Sequence, residues 1–284
     1  MSVYVVTLLN GKQYVYGDKD KELCWKGYNN IGNQENLREY RISDMLNNYK
    51  GVTYTRGKAY DKYLYFMKNN DRVEYERQEH IISPYALGVL LAEGALGEVS
   101  KRNSLSIASA EKDIVERMIM GTGLHSYTYN GNYSYQFPQY KNPNVGVIKQ
   151  EIIRMGINEL AKDKFIPIEY LKDSSRNRIE LLKGLVDTDG TLATKKNQKN
   201  YHIMYSTTSN KLANDVEELV TELGYGVNTT YRKIDKENHN DFWEVRIYTP
   251  DIIWSSKKNF KKIVGKEYRS NQHLCSAIKN IEKI

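Results

Sequence analysis

The chain has 284 residues, of which 40% are hydrophobic, and this is enough for one large domain or two ordinary ones with cores of their own. It has no run of about 18 apolar residues, which excludes an ordinary membrane-spanning helix. Its only cysteines, Cys24 and Cys275, argue against a cysteine zinc site and fit a reducing, cytoplasmic compartment. The net charge of +7 favours a polyanionic partner, with a soluble basic protein that has no such partner as the alternative.

The first 80 residues predict a small, mainly β appendage. Apolar and polar residues alternate on both sides of Asn10-Gly11, a dipeptide that is typical of a type I′ hairpin, and the segment lacks the layout of a signal peptide. A short helix is predicted near 41–51, ending at Gly51. Residues 69–80 are polar and charged, as expected of a linker.

A different pattern begins at Ser83. Ser83 and Pro84 are a favourable N-cap and first residue for an apolar helix that reaches Glu93. The elements predicted after it are strands at 96–100 and 104–110, a helix at about 111–120, a hairpin with Asn130-Gly131 in its turn, and a helix at about 147–161.

The same order then starts again, with Ser175 as the predicted N-cap of a helix that ends at Asp189. The following elements are strands at 191–197 and 201–208, a helix at 210–224, strands at 227–233 and 241–249, and a last helix near 251–263. Two α-β-β-α-β-β-α units in succession predict an internal duplication and an α+β fold. The predicted boundaries are 1–80 for the appendage, 81–173 for the first repeat and 174–284 for the second.

Two helix ends in these repeats share a spacing of small residues. In "ALGVLLAEG" (86–94) Gly88 is followed four residues later by Ala92, and in "LKGLVDTDG" (182–190) Gly184 is followed by Thr188. Residues four apart lie on the same helix face, and small side chains there let two helix backbones approach closely. We therefore predict that these two helices pack against each other through Gly88, Ala92, Gly184 and Thr188.

An acidic residue stands directly before the last glycine of each segment, Glu93 in one and Asp189 in the other. If the helices run side by side in one direction, the two carboxylates converge at one end, where like charges and the helix dipoles make an empty site unfavourable. Oxygen ligands of this kind prefer a hard divalent cation, above all Mg²⁺. The alternative is that both acids are ordinary surface caps; the repetition in register favours the metal site.

These paired segments resemble the LAGLIDADG homing endonucleases in their single-chain, two-repeat form. The block "DKFIPIEYL" (163–171) is similar to the Lys-x-Ile-Pro block between the two motifs, especially in intein-derived members, and residues 205–227 are similar to the block after the second motif. Two departures stand out. Glu93 replaces the more common Asp, and Leu91 occupies a position where many members carry an acid.

The resemblance implies a fold and an activity. It implies two αββαββα repeats about a pseudo-twofold axis, whose antiparallel sheets form a saddle over the DNA major groove. It implies a monomer that hydrolyses both strands of a long, partly asymmetric duplex site, encoded by a mobile element of a bacterial, phage or organellar host. Two or three Mg²⁺ ions would serve the reaction, and Mn²⁺ would substitute.

The resemblance also implies site residues. The metal ligands would be Glu93 and Asp189 with the adjoining Gly94 and Gly190. Lys164 in "KFIP" would be a catalytic lysine that polarises water or offsets charge on the phosphate. Its counterpart in the second repeat would be Lys266, with Lys262 as a rival, and Asp187 would lie in the helix interface.

Basic and amide residues of the predicted strands and their loops are expected to bind DNA, since Arg and Lys suit guanine edges and Asn and Gln suit adenine edges. The expected contacts are Lys101, Arg102, Lys195, Lys196, Lys199, Arg232, Lys233 and Lys236. The hairpin tyrosines Tyr127, Tyr129, Tyr133 and Tyr135 could either join them or pack behind the sheet.

Two other functions remain possible from the sequence: a DNA-binding protein on this fold that no longer cleaves, and an RNA maturase that assists intron folding. The appendage and "SAIKNIEKI" (276–284) faintly resemble strands of an intein splicing domain. No splice-competent Cys or Ser stands at the start and no His-Asn pair at the end, so protein splicing is not predicted.

Overall fold

The computed structural model divides the chain into two compact units. The first comprises Met1–Asn70, Gly224–Gly226 and Arg269–Ile284, and the second comprises Asp71–Leu223 and Val227–Tyr268. The structure describes residues 2–8, 13–26, 37–47, 49–55, 58–63, 65–68, 72–98, 101–194, 201–234, 240–249, 253–254 and 275–284. The helices within those ranges are all too short or too polar to cross a membrane.

The first unit is built on a six-stranded sheet with the strand order β2-β1-β15-β7-β3-β4, beside a separate pair, β5-β6. Its elements are β1 (Val3–Leu8), β2 (Gln13–Gly17), β3 (Lys21–Lys26), β4 (Leu37–Arg41), α1 (Ile42–Met45), β5 (Lys50–Thr55), β6 (Lys58–Tyr63), β7 (Tyr65–Lys68) and β15 (Cys275–Lys283). Its core is formed by Tyr4, Val6, Cys24, Ile42, Met45 and Ile281.

The strand pair expected at the start of the chain is confirmed, because β1 and β2 pair antiparallel with Val3 opposite Gly17. Its turn dipeptide, Asn10-Gly11, lies outside the described residues. The helix predicted near 41–51 is much shorter, since α1 ends at Met45 and Gly51 lies in β5. The β-branched residues after Gly51 pair with β6, and this pairing competes with any extension of the helix.

The last strand of the chain belongs to the first unit. β15 pairs antiparallel with β1 on one side and with β7 on the other, and Ile281 stands opposite Val6 in the core. The predicted second repeat extended to residue 284, whereas the structure groups Arg269–Ile284 with the N-terminal strands.

The second unit combines helices with two antiparallel sheets, which confirms the predicted α+β class. The sheet orders are β8-β10-β9 and β11-β12-β14-β13. The elements are α2 (Pro84–Glu93), β8 (Ser104–Ala108), α3 (Lys112–Thr122), β9 (Thr128–Tyr129), β10 (Ser134–Pro138), α4 (Asn144–Arg154), α5 (Ile168–Leu171), α6 (Ser175–Asp189), β11 (Gly190–Thr194), β12 (Tyr201–Thr207), α7 (Asn210–Glu222), β13 (Gly226–Arg232) and β14 (Phe242–Tyr248).

Several predicted boundaries in this unit are wrong. The strand expected at 96–100 is not formed by Leu96–Glu98, which adopt a 3-10 turn. The helix expected at 147–161 covers 144–154, because Gly156 takes a left-handed φ of 68° and ends it. The N-cap of α6 is Ser174 in place of Ser175. The helix expected near 251–263 lies almost entirely outside the described residues.

The helix α2 lies at the centre of this unit. The Ser83 side chain accepts a hydrogen bond from the Ala86 amide, and Pro84 occupies the first helical position, as predicted. Every residue from Tyr85 to Leu91 is buried. A helix that is apolar on all sides must be covered on all sides, so α2 is enclosed by the rest of the unit.

The described part of the predicted linker packs against the second unit. The Val73 amide donates to the Glu222 carbonyl at 2.8 Å, and the Gln78 amide donates to the Asp173 carboxylate at 3.0 Å. His80 contacts the same carboxylate at 2.7 Å and stacks on Tyr170. Residues 72–80 are therefore held at several points and do not behave as a free connection.

Candidate active site at the ends of two packed helices

The helices α2 and α6 contact each other through their backbones at two glycines. A Cβ atom on Gly88 would lie 2.4 Å from the Leu181 carbonyl oxygen, and one on Gly184 would lie 2.3 Å from that of Tyr85. These distances leave no space for any side chain at either position. The helix contact expected from Gly88 and Gly184 is therefore present.

The other two residues of the predicted interface lie elsewhere on the helix faces. The Thr188 hydroxyl donates to the Gly184 carbonyl of its own helix at 2.9 Å. Ala92 lines a cavity of about 230 Å³ at the carboxyl end of α2. The direct packing of these two residues across the interface stays a prediction.

The carboxylates of Glu93 and Asp189 interact at this end of the helices. Burial, the nearby Asp189 carboxylate and the opposing effect of Lys164 together raise the pKa of Glu93 to about 7. Burial raises the pKa of Asp189 as well, and Lys164 opposes this shift. Asp189 has an exposed side chain by surface area although protein atoms crowd the recess around it. We give more weight to the surface area, so Asp189 remains accessible to a ligand from solvent.

Lys164 is brought to the same place by its own segment. The Lys164 carbonyl accepts a hydrogen bond from the Ser209 hydroxyl at 2.6 Å, and the Ile166 amide donates to the Asp215 carboxylate at 2.8 Å, which anchors the segment to α7. Lys164 is 5% exposed and its Nζ donates to the carbonyls of Leu91 at 2.7 Å and Gly94 at 3.0 Å. It thus caps the negative end of α2.

The electrostatics of Lys164 follow from this position. Burial lowers the pKa of Lys164 to about 8, while the Asp189 and Glu93 carboxylates act in the opposite direction. The three side chains form one cluster in which each charge is influenced by the other two. The carbonyl of Gly94, predicted as a metal ligand, already accepts from Lys164, and Gly190 begins β11.

Asp187 lies in the helix interface, away from the carboxylate pair. Its carboxylate is buried and accepts a hydrogen bond from the Tyr85 hydroxyl at 3.0 Å. Arg117 contacts it at 3.5 Å and lies over the Tyr85 ring. Because Tyr85 is about two helical turns before Glu93, Asp187 acts in packing and is not placed to bind a ligand beside Glu93.

The predicted DNA-contacting residues are only partly within the described residues. Lys101 and Arg102 are exposed just before β8, Arg232 ends β13, and Lys233 follows it with an exposed side chain. The lysines outside the described residues are Lys195, Lys196, Lys199, Lys236 and Lys266, together with the rival Lys262.

Three polar residues of the sheets were missed from the sequence: Gln136 in β10, and Glu244 and Arg246 in β14. Their alternation with buried residues was a usable signal, because side chains two apart share a face of a strand. The hairpin tyrosines Tyr127 and Tyr135 instead pack with Phe137 on the buried face.

Comparison with known proteins agrees with this arrangement. Residues 177–264 match the family model described as a LAGLIDADG-like domain. This match supports the LAGLIDADG family. A LAGLIDADG-like domain indicates a nuclease of the homing-endonuclease type, and it implies DNA binding. The matched residues include Asp189 but not α2, so the pairing of Glu93 with Asp189 comes from the structure.

Two curated proteins are similar to parts of the chain. The replicative DNA helicase DnaB of Mycobacterium intracellulare is 26% identical over 223 residues, which are 78% of this chain and 32% of the relative. The ATP-dependent DNA helicase Hel308 of Thermococcus kodakarensis is 30% identical over 157 residues, which are 53% of this chain and 13% of the relative. The chain thus spans at most about a third of the length of these relatives.

Proposed function

We propose that the chain is a site-specific endonuclease that hydrolyses both strands of a long duplex DNA site. The observation that carries the proposal is the contact between α2 and α6, which brings Glu93 and Asp189 to one recess beside Lys164. Two acids from two helices suit a reaction that must occur twice, once on each strand. The LAGLIDADG-like domain and the net charge of +7 support the same substrate.

The donor set fits a divalent cation of the Mg²⁺ type. Within the described residues there is no group of three or more His, Cys, Asp or Glu arranged to hold a metal, so the protein would supply the two carboxylates of Glu93 and Asp189. Mg²⁺ commonly keeps several waters and uses one or two carboxylates together with substrate phosphates. The raised pKa of Glu93, caused by burial and by the Asp189 charge, shows that this recess favours an added positive charge.

When bound, such an ion would activate a water and stabilise charge on the phosphate. The residues of the chain have separate tasks. Glu93 and Asp189 would hold the ion, and Gly88 and Gly184 set how far apart the two carboxylates stand. Lys164 fixes the end of α2 through the Leu91 and Gly94 carbonyls and places a positive charge beside both acids.

A DNA-binding protein that does not cleave is the second candidate. The Lys164 ammonium already offsets part of the negative charge of Glu93 and Asp189, so the recess could persist without a metal ion. The two candidates differ in whether a divalent cation is needed for a chemical reaction or has no effect beyond salt.

The partial matches to two proteins named as DNA helicases suit the predicted intein-derived origin. A nuclease that lies within a longer host protein would account for the 32% and 13% of the relatives that are covered. We propose this origin for the chain, without the activity of either relative.

The test is a cleavage selection from a randomised duplex library with the full chain, carried out with Mg²⁺, with Mn²⁺ and with chelator. We expect cut duplexes that share one long sequence, in the presence of either ion and not with chelator. Duplexes that are enriched by binding but never cut would support the second candidate. A library that is neither bound nor cut would refute both.

A further inference from the structure

The exposed face of the first sheet carries amides and hydroxyls. Tyr135 and Phe137 of β10 are buried, so Gln136 between them points to the opposite face. Its Nε2 donates to the Ser104 hydroxyl at 3.0 Å, and its Oε1 accepts from the Asn130 amide at 3.3 Å. These two bonds hold the amide in one orientation before any ligand arrives.

The corresponding face of the second sheet carries an arginine pair around one acid. Val245 and Ile247 of β14 are buried, so Glu244 and Arg246 point to the opposite face. The Arg246 Nε donates to the Glu244 Oε1 at 2.8 Å, and the Arg232 Nη2 donates to the same oxygen at 3.0 Å.

Glu244 is placed to orient these guanidinium groups. It is 7% exposed, and hydrogen bonds from Arg232 and Arg246 outweigh its burial and hold the pKa of its carboxyl below the usual range. The carboxylate therefore remains charged. A guanidinium has five N–H donors, so one carboxylate leaves others for a ligand.

The presence of Glu244 argues against simple attraction of phosphate. A buried negative charge between two arginines reduces their pull on any phosphate, which works against non-specific DNA binding. It does favour a fixed guanidinium direction, which matters for the paired hydrogen bonds that a base edge requires. A strand or ribbon of strands can enter the major groove, where such edges are displayed.

We propose that the two sheets read different bases: Gln136 reads an adenine in one half of the target, and Arg246, positioned by Glu244, reads a guanine in the other. A side-chain amide pairs with the N6 and N7 atoms of adenine, and a guanidinium pairs with the O6 and N7 atoms of guanine. The inference rests on the proposed function. It adds that the two halves of the target differ in the base that each sheet selects.

The experiment is a binding selection from a randomised duplex library, followed by affinity measurements on the enriched duplex and its single-base variants. Full-length wild type is compared with Gln136→Ala, Arg246→Ala and Glu244→Gln. The control is Met120→Ala, an exposed residue of α3 outside both sheets. Melting temperatures are recorded for every variant, so that unfolding is not mistaken for lost recognition.

Gln136→Ala should lose discrimination for one adenine by about 10- to 100-fold, with the other positions unchanged. Arg246→Ala should lose a similar factor at one guanine in the other half. Glu244→Gln should reduce discrimination at that same guanine, whereas a merely structural role would weaken all duplexes equally.

Three outcomes count against the inference. If Arg246→Ala weakens every duplex alike and lowers the salt slope by about 1, the arginine contacts phosphate and the guanine assignment is wrong. Variants of both sheets acting in the same half of the target would also overturn it. A library from which wild type enriches nothing would refute the proposed function itself, and the inference with it.

Discussion

The helices α2 and α6 share one backbone contact and differ in most other respects. α2 has 10 residues and is buried continuously from Tyr85 to Leu91, whereas α6 has 15 residues and carries charged side chains along its length. After Glu93 the chain passes through Gly94 and a 3-10 turn, whereas after Asp189 it enters β11 at once.

This difference shows what the contact requires. Gly88 and Gly184 are needed because each faces a carbonyl of the other helix at a distance that excludes a side chain. The rest of each helix is free to suit its own surroundings. A sequence comparison can therefore match the α6 region and miss α2, while the structure treats the two ends as partners.

The largest expected effect tests whether the two carboxylates act as a pair. Glu93→Gln and Asp189→Asn should each reduce Mg²⁺-dependent double-strand cleavage on the order of a thousandfold while DNA binding persists, because each removes a negative ligand. Single-turnover cleavage of a supercoiled plasmid that carries the selected site measures this, with exposed Glu159→Gln as the control. If either variant still cuts both strands at the wild-type rate, the paired assignment is wrong.

The second prediction tests the backbone contact directly. Gly88→Ala and Gly184→Ala should each destabilise the protein by about 1–3 kcal/mol or more, because the added methyl group must displace a carbonyl of the neighbouring helix. Calorimetric melting gives the comparison. Gly146→Ala in α4 is the matched control, since its methyl would meet only the flexible Gln139 side chain. Equal melting temperatures for all three variants would contradict close packing of α2 on α6.

The third prediction concerns the end of α2. Lys164→Met should destabilise the protein by about 1–3 kcal/mol because the Leu91 and Gly94 carbonyls lose a charged donor. Urea unfolding measures this cost, and Lys162→Met, an exposed neighbour, is the control. A Lys164→Met protein as stable as wild type would mean that the cap contributes nothing to the helix end.

The smallest expected effect tests the start of α6. Burial opposes ionisation of Asp173, but hydrogen bonds from Asn177, Gln78, His80 and Ser174 lower its pKa overall. Asp173 therefore contributes stability above the unfolded-state value of about 3.9, and this contribution is lost as the pH falls through its lower folded value.

Asp173→Asn should accordingly cost about 1 kcal/mol at pH 7, with a difference from wild type that shrinks as the pH falls below about 4. Unfolding curves at several pH values measure this, with Glu159→Gln as the exposed-carboxylate control. A difference that grows on acidification would show that the ionised carboxylate does not support the strap of residues 72–80.

The sequence by itself determined the element types, the α+β class and the identity of the paired helices. Local chemistry is enough for these: Ser83 and Pro84 start α2, alternation marks the strands, and the spacing of Gly88 and Gly184 marks a close helix contact. It also placed Glu93, Asp189 and Lys164 among the site residues.

Only the tertiary structure decided how these residues are used. It placed the Lys164 ammonium on the carbonyls at the end of α2, turned Asp187 toward Tyr85, fixed residues 72–80 on the second unit, and joined the last strand to β1 and β7. These contacts join residues far apart in the chain. No local pattern specifies such partners, because each depends on which buried polar group is left to be satisfied once the helices and sheets have packed.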